Sequence, residues 1–205
     1  MGRMEGKVVL VTGAARGQGR AHAQRLAAEG ADIIAVDLAG PVETVTYPPA
    51  SADDLAETVK AVEGLDRRIL ARQADVRDTD ALAAAVRDGI GELGRLDGVV
   101  ANAGILNAVK PSWELAEEEW QTMLDINLSG VWHTTKVAIP HLIEQGQGGS
   151  VVLISSTAGL RGIPNIAHYN AAKHGVLGRS ARWPTSSPST ASGSTRSTRP
   201  TCARR

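Results

Sequence analysis

Short apolar runs alternate along the chain with longer stretches in which apolar residues return every three or four positions. Lys7-Val-Val-Leu-Val-Thr12 and Asp32-Ile-Ile-Ala-Val-Asp37 read as buried strands. Between them Ala21, Leu26 and Ala27 mark the apolar side of a helix. The pattern then predicts a helix over Ala52 to Leu65, a third strand over Arg68 to Asp75 and a helix over Thr79 to Leu93. A fourth strand, Gly98-Val-Val-Ala101, precedes a helical region from Glu114 to Asn127 that resumes from His133 to Glu144. Gly146 to Gly149 reads as a turn into a fifth strand, the apolar run Val151-Val-Leu-Ile-Ser-Ser156. Alternation of this kind predicts an α/β fold, a doubly wound parallel sheet with helices on both faces and ligands at the carboxyl ends of the strands. Gly13, Asp37, Asn102 and Ser156 all fall at such ends.

The turn after the first strand, Gly13-Ala-Ala-Arg-Gly17-Gln-Gly19, is rich in glycine and opens a helix. Glycines there let the backbone approach a pyrophosphate, and the helix N-terminus supplies amide donors and a favourable dipole. A plain strand–turn–helix with flexible glycines is the alternative. Asp37 tips the balance: it ends the second strand eighteen residues past Gly19, the spacing expected of a carboxylate that bonds an adenosine ribose. It would repel a 2′-phosphate and so favours NAD over NADP, whereas Arg16 beside the loop pulls weakly the other way.

Tyr169-Asn-Ala-Ala-Lys173, thirteen residues after Ser156, carries the candidate chemistry. Residues four apart share a helix face, so Lys173 can lie beside the Tyr169 hydroxyl. A phenol ionises near pH ~10 and works as an acid–base catalyst at neutral pH only with a positive charge nearby. The Ser156 hydroxyl can polarise a substrate carbonyl or alcohol oxygen. Taken alone, a Tyr-x-x-x-Lys pair is an ordinary helix surface; the nucleotide loop upstream gives it weight.

These residues resemble the short-chain dehydrogenase/reductase family, from about Glu5 to Gly178. The family's Thr-Gly-x-x-x-Gly-x-Gly loop reads here as Thr12 to Gly19, with Gly13, Arg16, Gly17, Gln18 and Gly19 toward the cofactor. Its Asn-Ala-Gly segment is Asn102-Ala103-Gly104, and its serine, tyrosine and lysine are Ser156, Tyr169 and Lys173. The resemblance implies that Asp37 meets the ribose, that Leu38 beside it also binds the cofactor, and that Asp75 and Val76 border the adenine. Asn127 would hold a water linking Lys173 to solvent. It further implies an NAD-dependent interconversion of a secondary alcohol and a ketone, with Tyr169 as general acid/base and Lys173 also holding the ribose.

A finer likeness is to the mycofactocin-coupled, carveol dehydrogenase-like branch. It rests on Thr12 to Arg20, Tyr47-Pro-Pro, Arg72 to Arg77 and Gly159 to Asn165, with Leu38 to Ala50 as that branch's insertion. It implies tightly held NAD and a peptide-derived redox carrier as electron acceptor, while the wider family resemblance implies a homotetramer built through the helices around Glu114 to Glu144 and after Tyr169.

Composition adds limits. No apolar run approaches a membrane span, Met1-Gly-Arg-Met-Glu is no signal peptide, and one cysteine, Cys202, excludes an internal disulfide, so a cytoplasmic enzyme is expected. No Cys/His cluster has metal-ligand spacing. The scattered histidines read as structural or surface, although His168 could line the pocket. Trp113, Trp120 and Trp132 read as helix packing, with Trp113 alternatively covering the substrate.

The neutral total charge hides an asymmetry. Arg179 to Arg205 holds six arginines, no acid and fifteen Ser, Thr or Pro residues, leaving sixteen Lys/Arg against twenty-two Asp/Glu before it. The expectation is an NAD-binding Rossmann domain over 1–178 and a basic tail over 179–205, disordered for want of apolar surface. Nucleic-acid binding by this tail is disfavoured, since it has one aromatic, Trp183, and no amphipathic period. A frameshift explains it better. Trp183 is TGG and Pro184 CCN, so the frame beginning at the last base of the Trp183 codon reads alanine. Continued, that frame permits Ala-Leu-Ala-Asn-Glu-Leu-Ala-Gln-His-Gly-Ile-Arg-Val-Asn-Ser-Val-His-Pro-Thr-Asn-Val, which is how the family continues. The tail would then replace the family's last strands and substrate lid, leaving a catalytically impaired nucleotide-binding remnant and putting the tetramer in doubt.

Overall fold

A computed structural model of the chain describes residues 2–180. Among these residues five strands form one all-parallel sheet in the order β3-β2-β1-β4-β5. They are β1 (Val8–Thr12), β2 (Asp32–Asp37), β3 (Ile69–Gln73), β4 (Gly98–Ala101) and β5 (Ser150–Leu153). The helices are α1 (Gly17–Ala28), α2 (Ala52–Glu63), α3 (Thr79–Leu93), α4 (Glu117–Leu124), α5 (Gly130–Gln145) and α6 (Ala167–Ser180). The order reverses between β1 and β4, where a doubly wound sheet opens a crevice above its strand ends.

Strand alternation divides the core in two. Val8, Leu10, Ile34 and Val36 point to one face, where they meet Leu82 and Val86 of α3 and Ala138 and Leu142 of α5. Val9, Val11, Ile33 and Ala35 point to the other, against Ala23 and Ala27 of α1 and Leu55 and Val62 of α2. Small alanines on α1 bring that helix close to β1, which fixes the glycine turn between them. Ser51 and Asp54 cap α2 reciprocally, and Asp78 caps α3 by accepting the amides of Asp80 and Ala81.

Two expected elements differ. The interruption expected between Asn127 and His133 is absent: α4 runs into α5 through a π-type turn, Asp125–Ser129. There the Asn127 side chain donates to the Met123 carbonyl, and the Gly130 amide reaches back five residues to Asp125 in place of the α-helical partner Ile126. The fifth strand is also shorter than its apolar run and only half buried, with Val152 49% exposed, because β5 is one of the two sheet edges among the described residues. The run Val151 to Ser156 promised a buried strand, which needs a neighbour on both sides.

The tail beyond Ser180, expected to be disordered or frameshifted, lies outside the described residues. Among the described residues no helix is long and apolar enough to cross a membrane, and no group of three His, Cys, Asp or Glu residues could hold a metal ion.

Candidate active site

A cavity of about 560 Å³ opens above the carboxyl ends of the strands. Gly13, Arg16, Gln18, Gly19, Asp37, Leu38, Asp75, Val76, Asn102, Ala103, Gly104, Asn127, Ser156, Tyr169 and Lys173 all line it. Gly17 is the one expected site residue off its wall; it starts α1 with φ +55°.

The glycine turn is shaped by close approach. Gly13 has φ +69°, and a Cβ there would stand 2.8 Å from Ala103 Cα and 2.9 Å from Asn102 Nδ2. A Cβ on Gly19 would fall 1.9 Å from the Gly13 carbonyl oxygen, so α1 can begin against the turn only with glycine there. Asn102 staples the turn from the end of β4: its Nδ2 donates to the carbonyls of Thr12 (3.0 Å) and Gly13 (3.2 Å). Thr12 Oγ1 in turn accepts the amides of Asn102 and Ala103. No side chain caps the N-terminus of α1 and its first turn carries no acid, and Gln18 and Gly19 of that turn line the cavity.

Asp37 sits where β2 ends, and its two carboxylate oxygens accept the amides of Ala15 and Ala39, both at 2.8 Å. Each oxygen keeps acceptor capacity toward the cavity. Arg16, read as a pull toward a 2′-phosphate, is engaged elsewhere: it donates to the Pro48 carbonyl at 2.8 Å and lies over the Tyr47 ring. Burial would raise the Asp75 carboxyl, but hydrogen bonds from the Arg77 side chain and amide hold it below its ordinary value.

The acid–base cluster lies on the far side. Ser156 Oγ accepts the Ala158 amide at 3.1 Å, fixing the turn after β5. Lys173 Nζ stands 5.6 Å from the Tyr169 ring centroid and donates to the Ile154 carbonyl at 3.0 Å. Burial of Lys173 pushes its pKa down from 10.5 to about 8. Asn127 is fully buried, its Oδ1 accepting the Ile105 amide and its Nδ2 donating to the Ile105 carbonyl. A Cβ on Gly104 would lie 2.6 Å from Asn127 Oδ1 and 3.6 Å from Lys173 Nζ, so the glycine leaves one small space between these two groups.

Several residues escaped the sequence reading. Ser155 lines the cavity and donates to the Lys173 carbonyl at 3.0 Å, anchoring α6 to the end of β5. Its adjacency to Ser156 was the available signal. From the Leu38–Ala50 segment, Val42, Val45, Tyr47 and Pro49 form a whole wall, which no periodicity announces. Two expectations are corrected. His168 is fully buried behind the wall instead of lining the pocket, because its ring nitrogen is drawn inward to Asn107 at 2.7 Å. Trp113 is 83% exposed and off the cavity wall, in a short 3-10 turn, so it neither covers the cavity nor packs a helix, and Trp120 and Trp132, expected to pack helices, are exposed as well.

Comparison with known proteins agrees with this geometry. Residues 7–184 match the family model described as short chain dehydrogenase. (–)-trans-Carveol dehydrogenase of Rhodococcus erythropolis is 53% identical over 178 residues, covering 87% of this chain and 64% of that protein. An uncharacterized NAD-dependent oxidoreductase of Mycobacterium tuberculosis is 51% identical over 177 residues, covering 86% of this chain and 64% of that protein. The crystal structure of carveol dehydrogenase from Mycobacterium avium in complex with NAD has a TM-score of 0.86 at 54% identity, covering 87% of this chain and 65% of that one. The chain therefore spans just under two thirds of the length of these relatives.

Proposed function

The chain belongs to the short-chain dehydrogenase family, and on that premise we propose that it is an NAD-dependent oxidoreductase interconverting a secondary alcohol and a ketone. The observation that carries the reading is one cavity holding a glycine cradle, a strand-end carboxylate and a Ser/Tyr/Lys cluster.

The residues fit NAD. The cradle of Gly13 and Gly19 and the uncapped start of α1 suit a pyrophosphate. Asp37 suits ribose hydroxyls and repels a 2′-phosphate, and the engaged Arg16 offers that phosphate no partner. Asp75 and Val76 would suit an adenine edge, and Asn102, Ala103 and Gly104 would hold the cofactor from the cavity wall beside the glycine turn. When bound, NAD supplies the nicotinamide ring that accepts or returns the hydride.

The chain's own groups handle the proton. Ser156 Oγ donates to the reacting oxygen and orients it. Tyr169 Oη takes the alcohol proton in oxidation and returns it in reduction. The Lys173 ammonium provides the positive charge against which a phenolate forms and passes the proton onward, with Asn127 keeping a path open beside it. Arrangement of these groups within one 1–178 domain is part of the same proposal, as are electron transfer to a redox carrier and assembly of four copies.

A second reading, a nucleotide-binding remnant without turnover, is favoured by the β5 edge, which is exposed among the described residues with Val152 half open. Both readings bind NAD and differ in turnover alone. Calorimetric titration with NAD and NADP tests the shared part: tight binding of NAD supports it, and preference for NADP contradicts it.

A further inference from the structure

Behind the cavity, Asn107 joins three elements through one side chain. Its Nδ2 donates to Thr44 Oγ1 at 3.1 Å and to the Glu119 carbonyl of α4 at 2.9 Å. Its Oδ1 accepts the Ala108 amide and faces His168 Nε2, both at 2.7 Å. The Glu119 carbonyl can only accept, so the amide nitrogen must face it and the amide oxygen must face His168. His168 Nε2 therefore carries the proton. His168 is fully buried and Asn107 9% exposed, so water does not substitute readily for any of these partners.

The two ends of this chain of bonds adjoin two separate parts of the cavity lining. Thr44 lies between Val42 and Val45, which line the cavity from the Leu38–Ala50 segment. His168 is followed directly by Tyr169, which lines it from α6. The loop that carries Asn107 is braced twice more, by the Lys110–Glu119 ion pair at 2.7 Å and by the Lys110 amide on the Asn165 carbonyl at 2.9 Å.

We propose that Thr44, Asn107 and His168 form a positioning strut that sets the spacing between the Leu38–Ala50 wall and the Tyr169 helix, so that seating of NAD under one wall and alignment of Tyr169 on the other are coupled. The inference rests on the NAD reading above. None of the three residues touches substrate; they act through Val42, Val45 and Tyr169.

The test is a double-mutant cycle on NAD affinity, with thermal midpoints measured alongside. Thr44→Val removes the acceptor at nearly constant shape, and His168→Leu removes the donor. Each weakens NAD about fivefold, the worth of one net hydrogen bond. The double variant binds no more weakly than the poorer single one, and His168→Gln, which can still donate to Asn107, recovers the affinity. Effects that multiply, or lowered midpoints with unchanged NAD affinity, overturn the strut. If His168→Leu does not fold, Thr44→Val and His168→Gln decide it: normal NAD binding in Thr44→Val overturns the coupling. An unaltered chain that binds no NAD overturns both this inference and the reading beneath it, whereas equal NAD binding in every variant overturns the inference alone.

Discussion

Replacing Lys173 with methionine should make the chain more stable at neutral pH while abolishing turnover. The ammonium lies buried near Tyr169, and burial moves its pKa from 10.5 to about 8. At about 1.4 kcal/mol per pH unit, keeping that charge in the folded chain costs about 3 kcal/mol below pH 8. Methionine removes the cost but leaves the Ile154 carbonyl without its donor, a loss of about 1 kcal/mol. A net gain of about 2 kcal/mol is expected. Because the folded-state pKa is depressed, the unfolded chain binds the extra proton between pH 8 and 10.5, and the stability of the unaltered chain rises with pH across that window. The advantage of Lys173→Met therefore shrinks from pH 8 upward, vanishes near pH ~9.5 and is reversed by pH 10.5, where only the lost hydrogen bond remains. Urea unfolding of both chains in the absence of nucleotide, at steps from pH 7 to 11, measures the difference and cancels the groups they share. A variant no more stable at pH 7, with a difference that does not change with pH, would refute the argument.

Other outcomes follow from the same geometry. Gly13→Ala places a methyl 2.8 Å from the Ala103 backbone at φ +69°, so unfolding should become easier by about 2 kcal/mol or more and NAD binding should weaken, both read by titration and thermal melting. Burial keeps the His168 imidazole below its ordinary value, Glu119 opposing and Lys110 assisting, so the stability it permits is complete above about pH 6.5 and lost as the pH falls further. His168→Gln should flatten that acid limb in a melting series. For the tail, codons of Ala181 to Cys202 in the coding DNA should all be compatible with the second frame; one incompatible codon removes that explanation.

How much could be read in the sequence depended on whether a signal was local. The helix Thr79–Leu93 and the end of β4 at Ala101 follow from periodicity and an apolar run, both contained in the segment itself. The glycine turn and Asp37 were legible because phosphate and ribose chemistry demand fixed residue types at fixed spacing. The continuity of α4 into α5 was not, since the Asn127 side chain that rearranges the turn is directed by Ile105, distant in sequence. Burial of β5 depends on whether a further strand lies beside it, which no feature of Val151 to Ser156 encodes. His168 and Asn107 are sixty-one residues apart, and neither advertises the other. The wall from Leu38 to Ala50 has no regular element at all; its role arises from lying over the cavity.

The most direct measurement is a single turnover. The purified chain is loaded with NAD, mixed with a panel of secondary alcohols, and followed by the near-ultraviolet absorbance of reduced nicotinamide. Reduction of the bound NAD by at least one alcohol, absent in Tyr169→Phe although that variant still binds NAD, is the predicted result. NAD that binds but is never reduced would contradict the dehydrogenase and leave the remnant; reduction that survives Tyr169→Phe would contradict the assignment of the acid/base.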